Sequence, residues 1–177
     1  MKDKIYQYKK TPNHPTLWKL ASLLADVALK HAVKCLNMQK LDEAMKYLRA
    51  VDRNTEAFPG SDWSTNPEWL LIRRNMHKNM ALYHQKKALW QNAYDNLKMA
   101  IRLETTLDVG LELAGSNLTC SILLQKMKNY PHSIDHAQNC IRILEKELNI
   151  KKGDAILESV YKGRDEELKR KNDKVMT

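Results

Sequence analysis

Glycine and proline are scarce in this 177-residue chain, with five of each, and phenylalanine occurs once, at Phe58. Leu, Ala, Lys, Asn and Met stand where β-branched and aromatic residues would favour strands, which argues against a sheet and predicts an all-α fold. The three cysteines, Cys35, Cys120 and Cys140, are an odd number with no regular spacing and no C-x-x-C. A disulfide framework is therefore not expected; the pattern fits a reducing compartment, with the thiols as small buried apolar groups. No apolar run approaches the roughly 20 residues that span a bilayer, and none follows the charges of MKDKIYQYKK. The expectation is a soluble cytoplasmic protein with no membrane contact, a cytoskeletal or organellar assembly remaining open.

Motifs that carry chemistry are missing too. There is no G-x-S-x-G, no glycine-rich phosphate loop and no H-E-x-x-H. The nearest approach to a ligand set is YPHSIDHAQNC, where His132, His136 and Cys140 stand four residues apart. In a helix these three span about 12 Å along the axis, too far for one ion to bind all of them. His31, His77 and His84 read as packing histidines, and Asn117-Leu118-Thr119 as a chance glycosylation triplet inside a helix. The chain is expected to be no enzyme, with no metal and no cofactor.

What is present is charge and helical periodicity. The net charge is +9, but it is spread, with +4 over residues 1–20 and +5 over residues 69–107. A nucleic-acid partner is the alternative this charge allows, with Lys9, Lys10, Arg73, Arg74, Lys78, Lys86, Lys87, Lys98 and Arg102 as phosphate contacts. The first periodic stretch, from about Thr16 to Met38, places Leu17, Leu20, Leu24, Val27, Ala28, His31, Ala32, Cys35 and Leu36 at helical intervals. A second follows after Gln39-Lys40. The loop over residues 54–67 contains Pro59-Gly60 and ends in Asn66-Pro67, a helix cap followed by a first-turn proline. Two more pairs follow, broken near 87–89 and 128–130. The predicted organisation is an N-terminal extension over residues 1–15 and a helical-repeat domain over 16–150. Its pairs cover about 16–53, 68–107 and 108–150, and a C-terminal capping helix with a basic tail covers 151–177.

The second helices of the three pairs can be superposed. Ala44, Ala93 and Ser133 become equivalent, as do Leu48, Leu97 and Ala137, and Val51, Ala100 and Cys140. The first helices then align Ala32, Ala81 and Ser121, small residues where two helices approach closely. This pattern resembles the tetratricopeptide repeat, whose second helix carries A-x₃-F. Ala44 with Leu48 and Ala93 with Leu97 fit that half, and Ser133 with Ala137 fits loosely. The Trp, Gly and Tyr of the family's first helix are missing. The spacing is 49 residues from Ala44 to Ala93 and 40 from Ala93 to Ser133, against about 34 in the family. The longer repeats look more like those of kinesin light chains and related adaptors than like receptors for chaperone tails.

The resemblance implies a right-handed superhelical stack of antiparallel helix pairs, closed by the C-terminal helix. It implies a non-enzymatic scaffold or adaptor within a larger assembly, binding a peptide or helix of a protein partner in a concave groove lined by the first helices. Those positions are Leu29, Lys30 and Val33, then Lys78, Asn79, Leu82 and Lys86, then Leu118, Ile122 and Lys126. Of the residues by which chaperone-tail receptors grip a terminal carboxylate, only Asn79 matches. Trp63 and Trp69, near the loop, are read either as a second partner contact or as local packing.

Overall fold

The scarcity of helix breakers is realised as six long helices in a computed structural model that describes residues 15–56, 66–148, 160–167 and 169. They are α1 (Pro15–Asn37), α2 (Leu41–Glu56), α3 (Pro67–Lys86), α4 (Trp90–Leu107), α5 (Gly110–Lys126) and α6 (Tyr130–Leu148). A short seventh, α7, covers residues 160–167, and no strand occurs among the described residues. Residues 1–14 of the expected N-terminal extension, most of the loop before α3, and residues 149–159, 168 and 170–177 lie outside the described residues, while Pro15 opens α1. Asn66 caps α3 as expected: its side chain accepts a hydrogen bond from the Glu68 N–H at 2.9 Å, and Pro67 occupies the first turn.

The chain divides into two compact units, residues 1–87 and 88–177. In the first, α1 packs along α2, and both pack on α3. Ala25, Leu29, Ala32, Leu36, Ala44, Leu48, Val51, Ile72 and Met76 form its core, with Tyr83 at the edge. The Ser22 hydroxyl donates to the Glu68 carboxylate at 2.7 Å and ties α1 to the start of α3. In the second unit α5 packs on α4 and, most extensively, on α6. Its α7 is held by the ion pair of Lys128 with Glu167 at 2.9 Å and by burial of Val160.

The residues that the sequence aligns at the closest approach are all buried. Ala32, Ala44, Ala81, Ala93, Ser121 and Ser133 are each at most 1% exposed. So are the second-helix positions Leu48, Val51, Leu97, Ala100, Ala137 and Cys140 buried. Where the first units place alanines, the third places two hydroxyls. The Ser133 Oγ donates to the Ser121 carbonyl at 2.9 Å and lies 2.9 Å from the Ser121 Oγ, so neither buried hydroxyl lacks a partner.

The turns repeat as closely as the core does. Gln39, Ala88 and Lys128 all adopt left-handed backbone, with φ of 60°, 54° and 59°. Each stands seven residues after the small residue of its first helix and five before that of its second. After α1 the Lys40 N–H donates to the Cys35 carbonyl and the Gln39 N–H to that of Leu36; after α5 the Asn129 and Lys128 N–H groups repeat this toward Leu124 and Gln125. These are Schellman closures, which satisfy the last helical carbonyls. Asp108, at φ 52°, ends α4 with the same pair of bonds toward Glu104 and Thr105.

The face that α1 buries differs from the one its sequence suggests. Ala32, Cys35 and Leu36 are buried as expected, but Leu20, Leu24, Val27 and His31 are exposed, and the core takes Ala21, Ala25 and Leu29 in their place. The amino-terminal half of α1 carries apolar residues on two sides, Ala21 and Ala25 on one and Leu20, Leu23 and Leu24 on the other, so periodicity alone does not choose between them. Shape does, because small side chains allow α2 to approach.

Two outcomes test this account by chemical denaturation. Ser133→Ala should destabilise the protein by about 1 kcal/mol by stranding the Ser121 hydroxyl, and Ser121→Ala added to it should recover most of that loss. Gln39→Gly should stabilise by about 0.5–1 kcal/mol, because glycine takes left-handed φ without a Cβ penalty; a loss of stability there would contradict the turn assignment.

Candidate functional site

The groove positions begin with the residue that follows each small first-helix residue. A side chain one step along a helix turns by about 100°, so the neighbours of Ala32, Ala81 and Ser121 turn away from the buried side of their own helices. Val33, Leu82 and Ile122 are 38%, 37% and 46% exposed. All three are apolar, and all three occupy the same register relative to the left-handed turn that follows. Water-facing apolar side chains are ordinary singly; their recurrence at one repeat position is what marks this register.

The charged and polar members of the set fall around them within each unit. On α1, Lys30 is exposed and pairs with Asp26 at 2.8 Å, while Leu29 is buried in the core. On α3, Lys78 and Asn79 are half-buried and Lys86 is exposed. The Asn79 amide donates to the Asn75 carbonyl one turn back at 2.9 Å, so part of its hydrogen-bonding capacity is used within its own helix. Lys87, just after α3, lies 5.4 Å from the centre of the Tyr83 ring and 3.5 Å from the Asp42 carboxylate. The Tyr83 hydroxyl first, and then the charges of Tyr83 and Asp42, hold its ammonium above the usual lysine range. On α5, Leu118 is half-buried beside Ile122, and the Lys126 ammonium stands 4.7 Å over the Trp90 ring. Of the two tryptophans considered for a loop contact, Trp69 is buried and supports packing at the start of α3; Trp63 lies outside the described residues.

The histidines of YPHSIDHAQNC have partners that explain them. His132 Nδ1 lies 2.8 Å from the Asn129 side-chain oxygen. His136 joins three helices. Asn117 on α5 donates its amide to the Leu113 carbonyl, which leaves its oxygen to accept from His136 Nδ1–H at 2.9 Å. His136 Nε2 then accepts the hydroxyl proton of Tyr94 on α4 at 3.2 Å, and the two rings meet edge to face. Burial pulls the His136 pKa down, helped by His132 and Lys98 and opposed by Asp135. The imidazole is thus neutral at pH 7, as the network requires.

Two thiols of the same unit are held protonated. Burial pushes the Cys120 thiol up to about 12, with Glu104 adding and Lys98 opposing, and burial also raises Cys140. Protonated, buried thiols are poor nucleophiles and poor metal ligands. Burial raises the Tyr94 hydroxyl as well, followed by the effects of Cys120 and Asp95. No group of three His, Cys, Asp or Glu that could hold a metal occurs among the described residues, and no helix among them is long and apolar enough to cross a membrane. Sequence reasoning missed the joining of Tyr94, Asn117 and His136, because their separations follow no motif; only the packing of α4, α5 and α6 brings them together.

The network sets a pH dependence. The folded-state pKa of His136 lies below the ordinary 6.5, so its contribution is complete above pH 6.5 and is lost as the pH falls below that value. His136→Gln should cost about 1–2 kcal/mol at neutral pH by leaving Tyr94 or Asn117 unpaired. It should also flatten the acid side of the stability profile measured by urea unfolding. His84, whose pKa burial also lowers, contributes in the same direction, so His84→Gln is the control that should leave the His136 share in place.

Comparison of the chain with protein-family models, with curated proteins and with solved structures found no match.

Proposed function

We propose that this chain is a non-enzymatic protein-binding module of the helical-repeat kind, a scaffold or adaptor subunit whose three helix pairs stack as a right-handed superhelix closed by α7. In this reading the first helices present a groove to a peptide or helix of another protein. The observation that carries it is the recurrence of an exposed apolar residue, Val33, Leu82 and Ile122, at one register of each first helix. Each follows a fully buried small residue, Ala32, Ala81 or Ser121, in its own helix. Lys78 and Lys86 near Leu82, and Lys126 near Ile122, give that surface a basic border, which suits a partner segment carrying acidic side chains around an apolar anchor.

Leu82→Glu and Ile122→Glu test the reading in affinity purification from the native source with mass spectrometry. The side chains are exposed, so circular dichroism and thermal unfolding should be unchanged while the specific partners drop by about tenfold or more. Retention of every partner would overturn the groove. The basic-repeat alternative is tested beside it by fluorescence polarisation with a single-stranded RNA, where tight binding that falls steeply with salt would favour RNA as the partner.

A further inference from the structure

The outer side of α1 carries a second surface, distinct from the register of Val33. Leu20, Leu23, Leu24 and Val27 are 46%, 62%, 42% and 45% exposed, the most concentrated group of exposed large apolar residues among the described ones. At about 100° per residue, Leu20, Leu23 and Val27 fall within an arc of about 60° on the side opposite Ala25, and Leu24 borders it. The core side of the same helix is covered by α2 and α3. A contiguous exposed apolar stripe of this kind, rimmed by charged side chains, marks an interaction surface.

Charge decides what the cap can be. Lys19, Lys30 and Lys34 border the stripe, and Asp26, the one acid on α1, is already paired with Lys30 at 2.8 Å. Residues 1–14 carry Lys2, Lys4, Lys9 and Lys10 against Asp3, and the chain as a whole is +9. Both the chain's own N-terminal segment and a second copy would therefore set like charges against this border. An amphipathic helix with acidic flanks would match both the apolar stripe and the lysines.

We infer that the Leu20–Leu23–Leu24–Val27 face of α1 docks an amphipathic helix of another protein, leucine-rich on one side and flanked by Glu or Asp. The inference does not depend on the groove of the first helices, because its residues lie on another side of α1.

The test uses the full chain and two fluorescein-labelled helical peptides of about 18 residues, five turns. They share leucines at i, i+3, i+4 and i+7, and one has Glu and the other Lys at the flanking positions. The Glu-flanked peptide should bind by polarisation at least about tenfold tighter than the Lys-flanked one. Leu23→Glu should weaken it by at least about tenfold with unchanged circular dichroism, and Lys34→Glu should narrow the gap between the two peptides. Equal binding of the two peptides, or no binding of either, would overturn the inference. So would sedimentation showing a dimer that Leu23→Glu dissociates, which would make a second copy the occupant. Peptide binding that appears only after removal of residues 1–14 would assign the face to the chain's own segment. Association with phosphatidylserine vesicles that Leu23→Glu abolishes, without peptide binding, would assign it to a lipid surface. The Leu82→Glu variant should leave the peptide affinity unchanged, which separates this surface from the groove.

Discussion

Everything else in the molecule follows from the close approach of two antiparallel helices at a pair of small residues. The approach is possible only where neither helix carries a large side chain, which is why Ala32 with Ala44, and Ser121 with Ser133, are completely buried beside a turn of three residues. Once the approach is set, the turn has one solution. The chain must reverse within three residues, and it does so through a left-handed residue and a Schellman closure at Gln39 and again at Lys128. Packing overrides backbone preference here, because none of the left-handed residues is glycine. Burial of Leu48, Val51 and their equivalents more than offsets about 1–2 kcal/mol per left-handed residue.

The same geometry separates two kinds of surface. A residue one step beyond the buried small residue turns away from the buried side of its helix, and its exposure recurs on α1, α3 and α5. Those positions could carry any polar side chain, yet they carry Val33, Leu82 and Ile122. The apolar side of α1 is a different matter: among the described residues Leu20, Leu23 and Val27 are exposed, and the core that α1 shares with α2 and α3 does not include them. Side chains that the fold does not need, placed where water must otherwise wet them, point to association.

Much of the architecture was legible in the chain itself. The breaks at Gln39-Lys40 and near residues 87–89 and 128–130, the cap at Asn66-Pro67, and the buried small residues of both helices are local signals, carried by spacing and side-chain size. Three things were not legible, each for a physical reason. Left-handed turns without glycine have no residue signature, since the strain is compensated by packing elsewhere. The buried side of α1 was misread at Leu20, Leu24 and Val27, because a helix with apolar residues on two sides offers periodicity a choice that only side-chain size decides. The roles of His136, Tyr94 and Asn117 depend on three helices meeting, so no spacing announces them, although the burial of Cys140 beside His136 was legible from its place in the aligned stripe.

The central proposal is that three helix pairs repeat one geometry and present one register of side chains to a partner. Spin labels at positions 33, 82 and 122, introduced in pairs into the full chain, measure it most directly by electron paramagnetic resonance. A repeat stack predicts that the separation between labels 33 and 82 equals that between labels 82 and 122, with both narrowly distributed. Clearly unequal separations, or a broad distribution for the first alone, would contradict a regular stack and with it a continuous groove.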